Sequence, residues 1–460
     1  PLAFLTGERA AEMRRSQPGA VIAELAVGET EGLICDGAAE RGFCERLLRA
    51  GVARERVAGP VGQLAFQSDG LDEVGGAFDA TGAFRRDASA SVALGNARIR
   101  FHRRVEPGVS PALELGRMLA EKGFAPTPPL RGAVELLLPR APEPLTVASF
   151  HSGSPNERLA WDYTLDVLRS YFERAAVAGA PPQVPGESIL RLASAEIPPA
   201  VNEMIGPYLR EAELIGRRTA ELHMALSSDT VDPRLAPEPF SWHYQRSIYQ
   251  TLRTLTREVG VLLRRELRHL PEEARAEAQG ILSLEENAVR RLRAIHQRRI
   301  TTPRIRCHGD LHLGRLLYTG KDFLIGGFEG DLNRSLNERR AKRSPLRDVA
   351  SMMRSFHYAA FSALLDRDVS GLPAGARSGL EAWARYWRNW VCAAYLRAYL
   401  ARAQGQPFIG APDELELLLS VFLCEKAVRE LGYELASRPE RALIPLRGLS
   451  ELIESIGSAS

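Results

Sequence analysis

The sequence predicts an α+β fold (mixed α/β) made of two lobes, a small β-rich lobe followed by a larger helical lobe. Up to Phe150, short apolar stretches with two-residue alternation are separated by turn residues, which is typical of strands. From Trp161 onward, apolar residues recur at helical spacing over long segments. A short polar loop around Asp310 interrupts the helical part between two apolar segments. Together these observations favour a strand-rich unit that precedes a helical one.

Residues 1–80 are predicted to form an N-terminal cap subdomain. Strands are expected at 20–25 and 32–35, and an amphipathic helix at 38–50. The chain begins with Pro1 rather than Met, so we expect the cap to be truncated and further sequence to precede it.

Residues 81–155 are predicted to form the β-rich lobe, which we expect to lie on the nucleotide side. Ser110 is placed to cap the one helix of this segment, because a hydroxyl can accept a hydrogen bond from the first free backbone amides. The expected elements are a hairpin at 91–96 and 99–101, a helix at 111–122 and strands at 133–138 and 145–150.

Residues 156–460 are predicted to form the helical lobe. Helices are expected at 162–175, 208–228, 240–268, 271–298, 344–366, 376–403, 413–436 and 446–456. Short strands are expected at 304–307, 316–317 and 323–325, and they flank a polar loop at 307–315. A catalytic loop inside a helical lobe that follows a sheet lobe is the organisation of a bilobal protein-kinase-like phosphotransferase.

Composition excludes some classes of function. The 60 Lys and Arg residues against 57 Asp and Glu leave a net charge of +3, too near balance to indicate a nucleic-acid partner. No apolar run approaches the length of a membrane span, so no membrane partner is expected. The five cysteines have no metal-type pairing, which predicts buried free thiols and a reducing, cytoplasmic location.

The most informative stretch is His308–His312, which reads HGDLH. An Asp two residues after a His, on a short loop between apolar segments, is how kinase-like phosphotransferases seat a catalytic base. Asp310 is therefore predicted to accept the proton of a substrate hydroxyl, and a turn or N-cap role is the structural alternative. His308 and His312 are predicted to hydrogen-bond the loop backbone, because no third ligand stands at zinc-type spacing.

Two segments, Cys307–Gly314 and Asn337–Ala350, carry a resemblance to a known family. Shorter matches support it at 105–108, Glu114, 216–223, 386–390, 425–427 and 432–435. On these motifs the chain resembles the maltokinase family, including the maltokinase segment fused behind trehalose synthase. The resemblance implies an aminoglycoside-phosphotransferase-like fold, ATP and Mg²⁺ as cofactors, and maltose or a short α-glucan as the sugar that becomes maltose 1-phosphate. It also implies trehalose synthase as a fused or associated partner.

The resemblance also implies roles for individual residues. Asp310 would be the base, and Glu114 the helix carboxylate that pairs with a phosphate-binding lysine, whose position Arg100 holds. Arg315 stands where the family has a metal-holding Gln, and Gly327 stands where it has a metal-holding Asp. Since magnesium neutralises the charge of the β- and γ-phosphates, losing both ligands is expected to reduce catalysis by orders of magnitude.

Other candidate site residues come with structural alternatives. Glu329 is the candidate substitute metal ligand, with Asp331 as the alternative, or else a structural cap. Arg315 is a candidate cofactor-binding residue, because its guanidinium could itself neutralise phosphate charge. Substrate-binding roles are expected for His308, Tyr386, Lys426 and Tyr433. Trp383, Trp387 and Trp390 share one helix face, a spacing more typical of core packing than of sugar stacking. Arg347–Asp348 is interpreted as an ion pair that supports the loop.

Two hypotheses from different classes follow. The first is a maltokinase-like enzyme with weakened metal binding. The second is a pseudokinase that binds maltose or serves as a scaffold, and the joint replacements at Arg100, Arg315 and Gly327 motivate it. An aminoglycoside or choline phosphotransferase is a third alternative, which the segments after the loop favour less.

Overall fold

The computed structural model describes residues 1–71, 85–86, 91–153, 157–183, 188–365 and 377–457. Two compact units divide the chain. Unit 1 comprises residues 1–157 and 326–340, and unit 2 comprises residues 158–325 and 341–460. The three-part division predicted from the sequence stays a prediction.

The strands, in chain order, are β1 Leu2–Thr6, β2 Val21–Val27, β3 Thr30–Asp36, β4 Arg56–Ala58, β5 Gln63–Ser68, β6 Arg85–Arg86, β7 Ser91–Leu94, β8 Ala97–Phe101, β9 Leu130–Leu137, β10 Leu145–Ser152, β11 Arg158–Leu159, β12 Leu316–Tyr318 and β13 Phe323–Ile325. The helices are α1 Gly7–Ser16, α2 Arg41–Val52, α3 Pro111–Glu121, α4 Ala160–Val177, α5 Ile189–Ser194, α6 Pro199–Ile205, α7 Tyr208–Ser227, α8 Trp242–Glu266, α9 Glu272–Leu292, α10 Leu336–Arg340, α11 Leu346–Leu365, α12 Arg377–Arg402, α13 Pro412–Ser437 and α14 Leu443–Gly457.

Unit 1 is built on a seven-stranded antiparallel sheet in the order β4-β5-β9-β10-β8-β7-β6, beside a small β1-β3-β2 sheet. Side chains of β8 alternate between buried and partly buried, as the period of two in a strand requires. Ile99 therefore enters the core with Phe150, while Arg100 points to the other face. In the register, Arg100 lies between Ser91 of β7 and Ser149 of β10. The Ser110 side chain caps α3 through the Ala112 amide, which confirms that prediction.

Unit 2 is a helical unit in which α11 is buried along almost its whole length. Aromatic side chains fill its core, with Trp387 and Phe356 both fully buried. Helices α7 and α12 approach very closely at Gly216, where a Cβ atom would lie 2.2 Å from the Tyr395 carbonyl oxygen. The three Trp side chains of α12 lie in this core, as the packing alternative predicted.

The long periodic helices and most of the strands agree with the sequence-based prediction, and two elements differ. The strand expected at 304–307 is wrong, because Arg304 and Ile305 form only isolated bridges, to Glu238 and Arg343 respectively. The helix expected at 271–298 ends at Leu292 and continues as a short 3₁₀ turn, Arg293–His296. Elements that the sequence did not indicate are β1, α1, β4, β5, β6, β11, α5, α6 and α10.

All five cysteines are free and buried, which confirms the prediction of buried thiols. Across the described ranges, we find no helix with the length and apolar character that a membrane span requires.

Candidate active site

Asp348, in the first turn of α11, binds the backbone of the loop that carries Asp310. The amide of His308 donates to Asp348 Oδ2 (2.8 Å), and the amide of Gly309 donates to Oδ1 (2.9 Å). The His223 ring lies 3.2 Å from Oδ2. Burial alone would raise the pKa of Asp348, but the hydrogen bond and charge of His223, together with His308 and Gly309, hold that pKa below its usual value. The loop is therefore fixed to the core by an ionised carboxylate.

The two histidines of the loop accept hydrogen bonds from its own backbone, as predicted. His308 Nδ1 accepts from the Asp310 amide (3.3 Å), and His312 Nδ1 accepts from the Gly314 amide (3.1 Å). His308 is only 1% exposed, so its ring is part of the interior of the loop. The role of His308 in substrate binding stays a prediction.

Asp310 is surrounded by cationic and donor groups of unit 2. Arg315 donates to Asp310 Oδ2 through Nη2 (2.7 Å) and Nε (3.3 Å). His312 Nε2 lies 3.5 Å from the same oxygen, and Lys426 Nζ lies 3.8 Å from Oδ1. Burial would raise the pKa of Asp310, but His312, Lys426 and Arg315 hold it well below its ordinary value. Asp310 is thus a stable carboxylate and a weak proton acceptor.

The interpretation of Arg347 and Asp348 as an ion pair with each other needs correction. Arg347 instead pairs with Glu425 of α13, at 2.8 Å between Nη2 and Oε2, and stacks on the Phe422 ring. Burial would raise the pKa of Glu425, but Arg347 and Arg429 lower it to about 2. The pair places Glu425 and its neighbour in the chain, Lys426, beside the loop.

A row of polar contacts that the sequence did not indicate joins α11 to α13. Arg354 donates twice to Glu430, through Nε (3.0 Å) and Nη2 (2.7 Å). One turn further, the Tyr358 hydroxyl donates to Glu434 (2.5 Å). The signal that could have found this row is the four-residue spacing of Lys426, Glu430 and Glu434, which places them on one face of α13.

The structure separates the two tyrosines that the sequence singled out. Tyr386 is only 2% exposed and packs edge-on against Trp383, so it belongs to the aromatic core. Tyr433 is 56% exposed, and the guanidinium of Arg438 lies 5.2 Å from its ring centre. Of the two, only Tyr433 presents its ring to a ligand from solvent.

In unit 1, the candidate residues Arg100, Glu114 and Glu329 all form ion pairs. Arg100 pairs with Glu329, and both side chains are largely buried. Glu114 of α3 lies 3.4 Å from Arg340, which belongs to the segment 326–340. The carboxylate that was the candidate substitute metal ligand therefore already has a guanidinium partner.

The residues of each unit do not fit a magnesium ion, whose ligands in proteins are oxygen atoms. In unit 2, Arg315 places a cation against Asp310. In unit 1, Gly327 has no side chain and Glu329 is engaged by Arg100. Within the ranges that the structure describes, no group of three or more His, Cys, Asp or Glu side chains could hold a metal.

Comparisons with known proteins point to one kind of relative. A comparison with models of protein families finds no match. The chain is 25% identical to a glucosamine kinase from Streptacidiphilus jiangxiensis over 366 residues, which cover 77% of this chain and 68% of the relative. The sequence similarity is thus to a sugar kinase, and it does not single out the maltokinases.

Solved structures show the fold. A glucosamine kinase in complex with glucosamine, ADP and inorganic phosphate superposes with a TM-score of 0.64 at 21% identity, over 95% of this chain and 96% of that one. A crystal form of glucosamine kinase gives a TM-score of 0.62 at 20% identity, over 99% of both chains. This chain therefore has the bilobal kinase-like fold that the sequence predicted.

Proposed function

We propose that this chain is a sugar-kinase-like protein that binds a sugar at Asp310, and that its magnesium-dependent phosphoryl transfer is weak or absent. The observation that carries the proposal is the contact of Arg315 with Asp310 Oδ2, at 2.7 Å. It leaves the carboxylate ionised and occupies one of its oxygens.

The relatives and the sequence motifs both support a sugar as the ligand. One similar protein is a glucosamine kinase, and one structure of a glucosamine kinase was solved with glucosamine, ADP and inorganic phosphate. The motif resemblance adds maltose as a second sugar to test, with trehalose synthase as the partner that would accompany it. Nucleotide binding is also part of the proposal, because that glucosamine kinase structure contains ADP.

Asp310 retains the means to bind a hydroxyl. Its Oδ1 faces Lys426 at 3.8 Å, which is longer than a hydrogen bond, so this oxygen can accept from a sugar hydroxyl. The lowered pKa makes Asp310 a poor acceptor of that hydroxyl proton, because efficient general bases have a pKa nearer the operating pH. Asp310 can therefore bind a sugar hydroxyl, but it does not readily take the proton of that hydroxyl.

The test is calorimetric titration of the purified chain with glucosamine and with maltose. We expect one of the two sugars to bind, and Asp310→Asn to weaken its binding at least tenfold. Asp166→Asn is the matched control, because Asp166 is half exposed and pairs with the surface arginines Arg158 and Arg169. If neither sugar binds, or if Asp310→Asn binds as well as the unmodified chain, the proposal is wrong.

A further inference from the structure

One face of the seven-stranded sheet of unit 1 carries polar side chains along β8. Arg98 and Arg100 lie on this face, because side chains alternate along a strand and the residues between them enter the core. The amide of His102 donates to the Val147 carbonyl oxygen (2.9 Å), which extends the strand pairing and places His102 next in the same alternation. Ser149 of β10 lies directly opposite Arg100. This face therefore presents hydrogen-bond donors.

Glu329 reaches this face from the segment 326–340. Its carboxylate pairs with Arg100, and the two side chains are 5% and 16% exposed, respectively. The backbone around Glu329 is fixed, because Phe328 is buried and Arg339 Nη1 donates to the Glu329 carbonyl oxygen (3.0 Å). The carboxylate thus fills the space beside the guanidinium.

His102 belongs to the same cluster and has a nitrogen atom without a partner. Burial lowers the pKa of His102, the charge of Glu329 opposes this shift, and the charge of Arg100 adds to it, so the three groups lie close together. The ring is therefore neutral at pH 7 and carries one N–H group. Its Nε2 atom is buried and has no hydrogen-bond partner among the residues that the structure describes. Such an atom beside a guanidinium suits an oxyanion, which could accept from both.

We infer that Arg100 and His102 form a site for a phosphate group of a nucleotide, and that the Glu329 carboxylate occupies this site as an internal competitor. The inference rests on the proposed function and specifies which residue limits nucleotide binding. A guanidinium binds carboxylates and phosphates through the same N–H groups, so the two anions compete for them. A phosphate group placed beside Glu329 would also meet a like charge.

Removing the competitor tests the inference. Glu329→Ala deletes the carboxylate and opens a space of about its size beside Arg100. Calorimetric titration with ADP, in EDTA so that no divalent ion contributes, should show binding at least about ten times tighter than in the unmodified chain. Adenosine is the matched probe, and it should show no gain because it has no phosphate group.

Further variants assign the contact. Adding Arg100→Gln to Glu329→Ala should abolish the gain in ADP affinity. Glu329→Gln removes the charge with little change in volume, so it covers a failure of Glu329→Ala to fold and should also bind ADP more tightly. Glu24→Ala is the control, because it removes the same charge from a surface pair with Arg14, in which Glu24 is 70% exposed. It should leave the ADP affinity unchanged.

The outcomes separate this inference from the proposed function. ADP that binds the unmodified chain as tightly as both Glu329 variants overturns the inference and leaves the proposed nucleotide binding standing. A gain that persists with Arg100→Gln, or that adenosine shows equally, also overturns it, because Glu329 then does not compete for the guanidinium. If ADP binds none of these proteins, the inference is wrong, whereas sugar binding at Asp310 is decided by its own titration.

Discussion

The guanidinium of Arg315 lies against Asp310 Oδ2, with Nη2 at 2.7 Å and Nε at 3.3 Å. Five residues separate the two in the chain, and a single 3₁₀ turn, Leu313–Arg315, brings them together. The maltokinase resemblance implies a neutral metal ligand at position 315. The chain instead has an arginine there, which binds the carboxylate predicted to be the base. We propose that this contact limits phosphoryl transfer although the HGDLH stretch is intact.

The anchor of the loop is the first target for mutagenesis. Asp348→Asn replaces one accepting oxygen with an NH₂ group that would face the His308 or Gly309 amide. We expect a loss of about 2–4 kcal/mol in the free energy of unfolding, because two buried donors cannot both be satisfied. Urea unfolding measures it, with Asp166→Asn as the exposed control that should change by less than about 1 kcal/mol. Equal stability of the two variants would contradict the anchoring role.

The polar row can be disrupted without changing any charged residue. At Gly448 of α14, a Cβ atom would lie 2.1 Å from Arg354 Nη1, so Gly448→Ala must displace the guanidinium from Glu430. Gly280→Ala is the matched control, because nothing lies within 4 Å of the Cβ position at this exposed helical site.

We expect Gly448→Ala to lower the free energy of unfolding by about 1–3 kcal/mol, whereas Gly280→Ala should raise it by up to about 1 kcal/mol. If sugar binding uses the row, only Gly448→Ala should also weaken it. The same sugar affinity in both variants would remove Arg354 from the binding site.

The Arg100–Glu329 pair tests whether Glu329 is a structural partner or a metal ligand. Glu329→Gln should destabilise unit 1 by about 3 kcal/mol, because it leaves a buried guanidinium without its counter-ion. The double variant Arg100→Met/Glu329→Leu should recover most of that loss, since an apolar pair can replace a buried ion pair. Magnesium should not change the melting temperature of the unmodified chain. A magnesium-dependent rise that disappears in Glu329→Gln would show that the carboxylate binds the ion.

A pH dependence is expected from His151 on β10 of unit 1. Burial lowers the pKa of His151 from its ordinary 6.5 to about 4, against the opposing effect of its hydrogen bond to the Pro128 carbonyl oxygen. The unfolded chain therefore binds a proton at this residue at higher pH than the folded chain does. Stability is full above about pH 6.5 and falls as the pH drops toward 4, by at most about 3 kcal/mol from this residue.

His151→Gln should remove this contribution. Urea unfolding of both proteins at pH 7.5 and pH 5 measures the difference, and the loss between the two pH values should be smaller in the variant. The same loss in both proteins would mean that the pKa of His151 is the same in the folded and the unfolded chain.

The sequence predicted the helices better than it predicted the contacts of the candidate site. Long helices such as α8 and α13 were predictable because their apolar residues repeat over many turns. The expected strand at 304–307 failed because pairing depends on distant partners, and only single bridges to Glu238 and Arg343 form. The elements of the first 70 residues that were missed, β1, α1, β4 and β5, have patterns too short to be recognised.

In the candidate site, the local motif predicted the loop residues correctly. The partners of the charged side chains could not be predicted from the sequence. The HGDLH stretch indicated Asp310 and the backbone role of its histidines. By contrast, Arg354 and Glu430 look like ordinary charges of a solvated helix face, and their burial follows only from the packing of α11 on α13. Arg347 was assigned the wrong partner for the same reason, because the carboxylate that it binds, Glu425, is 78 residues away in the chain.

We propose that the replacements at Arg315 and Gly327 limit phosphoryl transfer. Initial rates of ATP-dependent sugar phosphorylation, measured with magnesium for the unmodified chain and for Arg315→Gln/Gly327→Asp, test this proposal. Gly327 has a φ of +81°, at which any side chain adds backbone strain, and Asp is among the non-glycine residues found most often at positive φ. We predict a rate near the blank for the unmodified chain and at least a hundredfold gain in the variant, lost again when Asp310→Asn is added. Rapid turnover by the unmodified chain, unchanged in the variant, would show that neither position limits phosphoryl transfer.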